Sequence, residues 1–65
     1  MMEKPNGFKW GIGDLVRKKR GSEWRGRVCG FYITETTTEG YCVESSFEPG
    51  SVQVWPLAAL EEWKI

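Results

Sequence analysis

A period-two run, a tight turn and a second short run limit this chain more than any other feature. Tyr41 to Phe47 alternates Tyr41, Val43, Ser45 and Phe47 against Cys42, Glu44 and Ser46, the repeat of a strand with two unlike faces. Glu48-Pro49-Gly50 follows, with Pro and Gly at the second and third positions that a type II turn favours. Ser51 to Trp55 (SVQVW) then reads as a short strand stopped by Pro56. A hairpin of this kind has to find further strands, because two alone cannot bury enough apolar surface.

The rest of the chain supplies them. Asp14 to Lys19 (DLVRKK) has strand length, and Arg20-Gly21-Ser22 is a turn. Trp24 to Thr34 (WRGRVCGFYIT) is rich in β-branched and aromatic residues and carries no helical stripe. Gly26 and Gly30 within it predict a bulge or bend, the device by which one strand curves round a small barrel. Glu35 to Gly40 (ETTTEG) is a polar turn, Leu57 to Leu60 (LAAL) has room for one 3₁₀ turn, and Glu61 to Ile65 reads as a last edge strand. Residues 1–12 read as a flexible N-terminal tail broken by Pro5, Asn6, Gly7 and Gly11, although Phe8, Trp10 and Ile12 alternate and predict packing at its end. The expectation is an all-β fold: a small SH3-like barrel of about five short strands over residues 13–65, with no helix of useful length.

A barrel of this size is marginal alone, since 65 residues hide only about 60% of the unfolded surface. Chains this short add disulfides, a metal or partner subunits. Cys29 and Cys42 form no disulfide framework; a single bridge between neighbouring strands is open to them, but the favoured reading is two buried free thiols of a reducing cytoplasm. No histidine is present, so two cysteines leave no zinc site, and no metal is expected. Self-association is left. Nine Lys and Arg balance nine Asp and Glu, which argues against a dedicated nucleic-acid binder. No apolar run suggests a membrane span or a secretory leader, and a cytoplasmic protein is the expectation. Four Trp, two Tyr and three Phe exceed what such a small core can enclose, and predict an interface or ligand groove.

Two constellations carry chemical possibilities. Gln53 lies between Val52 and Val54 and before Trp55. Its amide either faces water or stands in an apolar ligand surface, offering a donor and an acceptor. Arg17-Lys18-Lys19-Arg20 is either a solvated rim or a cationic gate for an anionic ligand, such as a dinucleotide phosphate or a polyglutamate tail. There is no nucleophile elbow, no paired-carboxylate motif and no glycine-rich phosphate loop after a strand. An enzyme built from these parts has to work by positioning and electrostatics.

Gly13-Asp14-Leu15-Val16-Arg17-Lys18-Lys19, Trp24-Arg25-Gly26, Val28-Cys29-Gly30-Phe31-Tyr32, Glu39-Gly40-Tyr41-Cys42-Val43-Glu44-Ser45 and the run from Pro49 to Glu61 occur in one order over residues 11–61. Together they resemble the type II dihydrofolate reductases, the trimethoprim-insensitive enzymes carried on bacterial resistance plasmids. The resemblance implies four SH3-like subunits around one pore with 222 symmetry, in which NADPH and dihydrofolate enter from opposite ends and meet at the middle. It implies reduction of dihydrofolate to tetrahydrofolate, a step of one-carbon metabolism, by hydride transfer without a protein general acid. By position it places Gln53 on the pore floor, where it holds both rings, and gives Val54 apolar and backbone contacts to them. Lys18 attracts coenzyme phosphates and the substrate's glutamate tail, Ser51 and Val52 stand beside the coenzyme, and Trp24 lies at a subunit contact. The resemblance thus makes Gln53, Val54 and Trp55 the catalytic set, with Lys18 added for substrate. Trp55 stands where the family has Tyr, Val54 where it has Ile, and Glu48 where its best-known members have His at the subunit interface. The competing expectation is a non-catalytic SH3-like binding module for nucleic acid or peptide.

Overall fold

The computed structural model describes residues 4–64. Within them lie five strands: β1 (Leu15–Lys18), β2 (Arg25–Tyr32), β3 (Gly40–Ser45), β4 (Val52–Pro56) and β5 (Leu60–Glu62). A single 3₁₀ turn, Leu57–Ala59, joins β4 to β5. The strands form one antiparallel sheet in the order β4-β3-β2-β1-β5. The all-β reading, the strand order along the chain and the 3₁₀ turn follow the sequence pattern. β4 and β5 are the two edges and do not pair, so the sheet of this SH3-like fold curls without closing into a hydrogen-bonded barrel.

A lone sheet has no second layer to cover its apolar face, so it must wrap that face itself. Val16 of β1, Val28 of β2, Tyr41 and Val43 of β3 and Leu60 of β5 are all buried, and Trp55 of β4 packs against them. The segment before β1 supplies the lid. Phe8 and Trp10, assigned to the tail in the expected division at residue 13, are 7% and 6% exposed and belong to this core. Their rings meet Tyr41 edge-on at 5.5 and 5.2 Å, so the domain begins before its first strand.

The bulge expected in the second strand is present. Val28 pairs with Val43 and Gly30 with Cys42, leaving Cys29 as the extra residue. Gly26 is required for a different reason: a Cβ there would lie 1.7 Å from the Glu44 carbonyl oxygen. The β3–β4 turn has the anticipated form, with Gly50 at φ 89° and the Ser51 amide donating to the Glu48 carbonyl at 3.0 Å.

The cysteines are not buried as expected. Both are free thiols, but Cys29 is exposed and Cys42 is half-buried, because the bulge and the register put them on the outer face of the sheet.

Candidate functional site

β4 reverses the usual polarity of a strand. Gln53 lies opposite Val43 and Trp55 opposite Tyr41, and both partners are fully buried. Residues paired across an antiparallel ladder share a face, so Gln53 and Trp55 are on the core side. Val52 and Val54 therefore point outward, and they are 47% and 53% exposed. Gln53 is exposed as well, since the core stops short of this edge. The result is an uncharged strand with a vacant hydrogen-bonding edge, apolar side chains outside and an amide on its inner rim. Natural edges are usually blunted with charge. Among the described residues this one is bare along Val52, Gln53 and Val54, and Pro56 guards only its end.

The cationic run comes to the same place by topology. The 3₁₀ turn carries the chain from β4 into β5, and β5 pairs with β1, matching Leu60 with Lys18. The end of β1 is thereby brought beside the end of β4. The Lys19 amide donates to the Ala59 carbonyl at 3.0 Å, which seals this junction. Lys18 reaches over Trp55, with Nζ 4.1 Å from the ring centroid. Lys18, Lys19 and Arg20 line a shallow depression whose floor includes Ala58 and Ala59. Among the described residues the ion pairs are Arg17–Glu61, Arg25–Glu23 and Arg27–Glu44, and none uses Lys18. An ammonium group in a depression without a carboxylate partner has the donor chemistry to hold a phosphate or carboxylate.

The remaining expected residues are placed as follows. Ser51 works through its backbone: its amide closes the turn and its carbonyl accepts from the Ser45 amide at 2.9 Å. Trp24 is half-buried against the core, and its indole N–H donates to the Val43 carbonyl at 3.2 Å. Trp55 does not offer its indole N–H outward: Nε1 is buried and makes no hydrogen bond among the described residues, so the ring faces the site. Glu48 is exposed in the β3–β4 turn. The structure thus gathers Lys18, Gln53, Val54 and Trp55 at one edge and keeps Ser51 in the adjoining turn.

Two features were not read from the sequence. Glu44 accepts from the Gly50 amide at 2.8 Å and from Arg27 Nε at 3.4 Å, and these bonds hold its carboxyl below the usual glutamate range. Arg25 lies between two rings, 4.7 Å from Phe47 and 5.2 Å from Trp63, tying the hairpin tip to the C-terminal segment. Alternation signals neither, because each joins residues from different parts of the chain.

Comparison with known proteins identifies a family. A family model described as R67 dihydrofolate reductase matches residues 2–64. Two Escherichia coli proteins, each named dihydrofolate reductase type 2, are 56% and 54% identical over 57 residues; in both cases the match covers 88% of this chain and 73% of the relative.

Proposed function

The chain belongs to the R67 dihydrofolate reductase family, and from that membership we propose how it acts as a dihydrofolate reductase: four copies join their β4 edges around a shared pore, and NADPH and dihydrofolate meet there against Gln53. The observation that carries this reading is the reversed strand. An uncharged edge with Val52 and Val54 facing out needs another surface over it. A second copy of the same edge is self-complementary across a two-fold axis. One chain of this length cannot enclose two ligands of cofactor size, whereas a ring of copies can.

Within such a pore each residue has a distinct task. The Gln53 amide gives and accepts hydrogen bonds, and so orients the nicotinamide carboxamide and the pterin edge. Val54, with Val52 and the Ser51 backbone beside it, lines the coenzyme side and excludes water from the reacting rings. Trp55 presents its ring face. Lys18 fits the phosphates of the coenzyme and the carboxylates of the substrate tail, because its ammonium has no carboxylate partner among the described residues. The coenzyme supplies the hydride when bound. No ionisable side chain occurs from Ser51 to Pro56 and the chain has no histidine, so dihydrofolate takes its proton from solvent before reduction.

The non-catalytic binding module is not favoured, since both relatives are named as reductases. Among the described residues no helix is long and apolar enough to cross a membrane. The free thiols of Cys29 and Cys42 suit a reducing cytoplasm, where we place the protein.

The test is dihydrofolate-dependent oxidation of NADPH, run with and without trimethoprim and across pH. The expected result is turnover that ignores the inhibitor and falls steadily as pH rises. A bell-shaped profile would require an acid on the protein and overturn the solvent-proton step, while absence of turnover would remove the enzyme.

A further inference from the structure

A lysine side chain is long, flexible and costly in rotamer entropy to immobilise. A binding lysine is therefore more effective when something holds it before the ligand arrives. Among the described residues no carboxylate does so. Arg17, beside Lys18 on β1, takes Glu61 instead, with Nε 2.6 Å from the carboxylate oxygen. Lys18 Nζ is 4.1 Å from the centroid of Trp55. On another side it comes so near the β1–β2 turn that a Cβ built on Gly21 would lie 3.2 Å away, and Gly21 has φ 81°. The ring itself is fixed: Trp55 lies across the ladder from the buried Tyr41, packs on the core and has its Nε1 buried.

We infer that Trp55 is a positioning residue for Lys18: its ring face holds the ammonium at the β4 edge, in place of a counter-ion, ready for the phosphate groups of the coenzyme. This rests on the assignment of Lys18 to phosphate binding and goes beyond any contact that Trp55 makes with the reacting rings. The chemistry favours this holder over a carboxylate. A ring quadrupole attracts the cation without neutralising it and leaves the N–H donors directed away from the ring available. A glutamate at the same place would hold Lys18 equally well but would repel the phosphate. Gly21 leaves the room that a side chain would take from the ammonium.

Two measurements test this together. In the protein without ligand, the ε-methylene protons of Lys18 should show an upfield ring-current shift by NMR that Trp55→Leu abolishes and Trp55→Phe keeps in part. By calorimetry, Trp55→Leu should weaken NADPH binding about two- to five-fold, the strength of one partly exposed cation–π contact. The same substitution in a Lys18→Met background should change binding by far less. Trp55→Phe preserves a ring against Tyr41; its smaller loss should likewise depend on Lys18, and it serves as the variant if Trp55→Leu does not fold. Equal weakening with and without Lys18, or no ring-current shift, would overturn the inference and leave the reductase assignment standing. Unchanged NADPH affinity in Lys18→Met would instead remove Lys18 as the phosphate holder, and this inference with it.

Discussion

Tyr41 ties the segment before β1 to the sheet. Its side chain is fully buried, and its ring meets Phe8, Trp10 and Phe31 edge-on. Its hydroxyl accepts from the Lys9 amide at 2.9 Å and the Trp10 amide at 3.2 Å, and donates to the Glu39 carboxylate. Tyr41→Phe keeps the ring contacts and strands the buried Trp10 amide, a loss of about 1–3 kcal/mol. The expected outcome is a lower urea midpoint together with faster hydrogen exchange at the Trp10 amide; unchanged exchange there would refute the hydroxyl's role. Burial first, and the bond to Glu39 second, push the Tyr41 hydroxyl pKa up. A raised folded value means that the fold favours the protonated phenol. This contribution is therefore complete below the ordinary tyrosine range and is lost as pH rises through the folded value. Sequence alternation placed Tyr41 on one face of its strand, but it carried no sign of which amides the hydroxyl meets. Gln53 and Lys18 were legible as unusual residues in their settings. That Lys18 meets Trp55 was not, because the contact depends on how tightly the sheet curls.

The strands were legible because each has its own local cause: β-branched and aromatic residues within, Gly, Pro and polar clusters between. The ends moved by a residue or two, as Ser46 and Phe47 show by leaving β3 for the turn. There the element is held by more than Pro49 and Gly50. Glu44 reaches along the hairpin to the Gly50 amide, and this bond is the main cause of its lowered pKa, followed by Arg27. A lowered folded value reverses the sign found for Tyr41: the contribution is present above the ordinary glutamate range and disappears as pH falls through the folded value. Acidification from about pH 6 to about pH 3 should therefore raise the exchange rate of the Gly50 amide, once corrected for intrinsic exchange, ahead of the amides in β2, which lie at the centre of the sheet. Glu44→Gln should flatten this dependence while keeping an acceptor within reach. Constant protection of Gly50 across the range would show that Pro49 and the glycine conformation hold the turn unaided.

At the scale of the whole molecule, the open sheet and the reversed strand are one fact seen twice. The sequence pattern indicated a small SH3-like barrel but not whether its sheet closes, because short strands and turns look alike whether or not the last edge meets the first; closure is decided by curvature and by what covers the edges. Here β4 and β5 stay apart, and β4 is left with Val54 more than half exposed. In a lone chain Val54→Glu changes a surface position, where substitutions stay within about 0.5 kcal/mol. In an assembly joined through β4 the same change buries repeated like charges in an apolar contact and costs several kcal/mol per site. The two cases separate cleanly. Val54→Glu should keep the β-sheet circular-dichroism spectrum, lose NADPH oxidation, and fall by light scattering from a multiple of the chain mass to 7.5 kDa. If the unaltered protein already runs folded at 7.5 kDa at assay concentration, then β4 needs no partner, the pore does not form, and Gln53 has no second ligand surface to face.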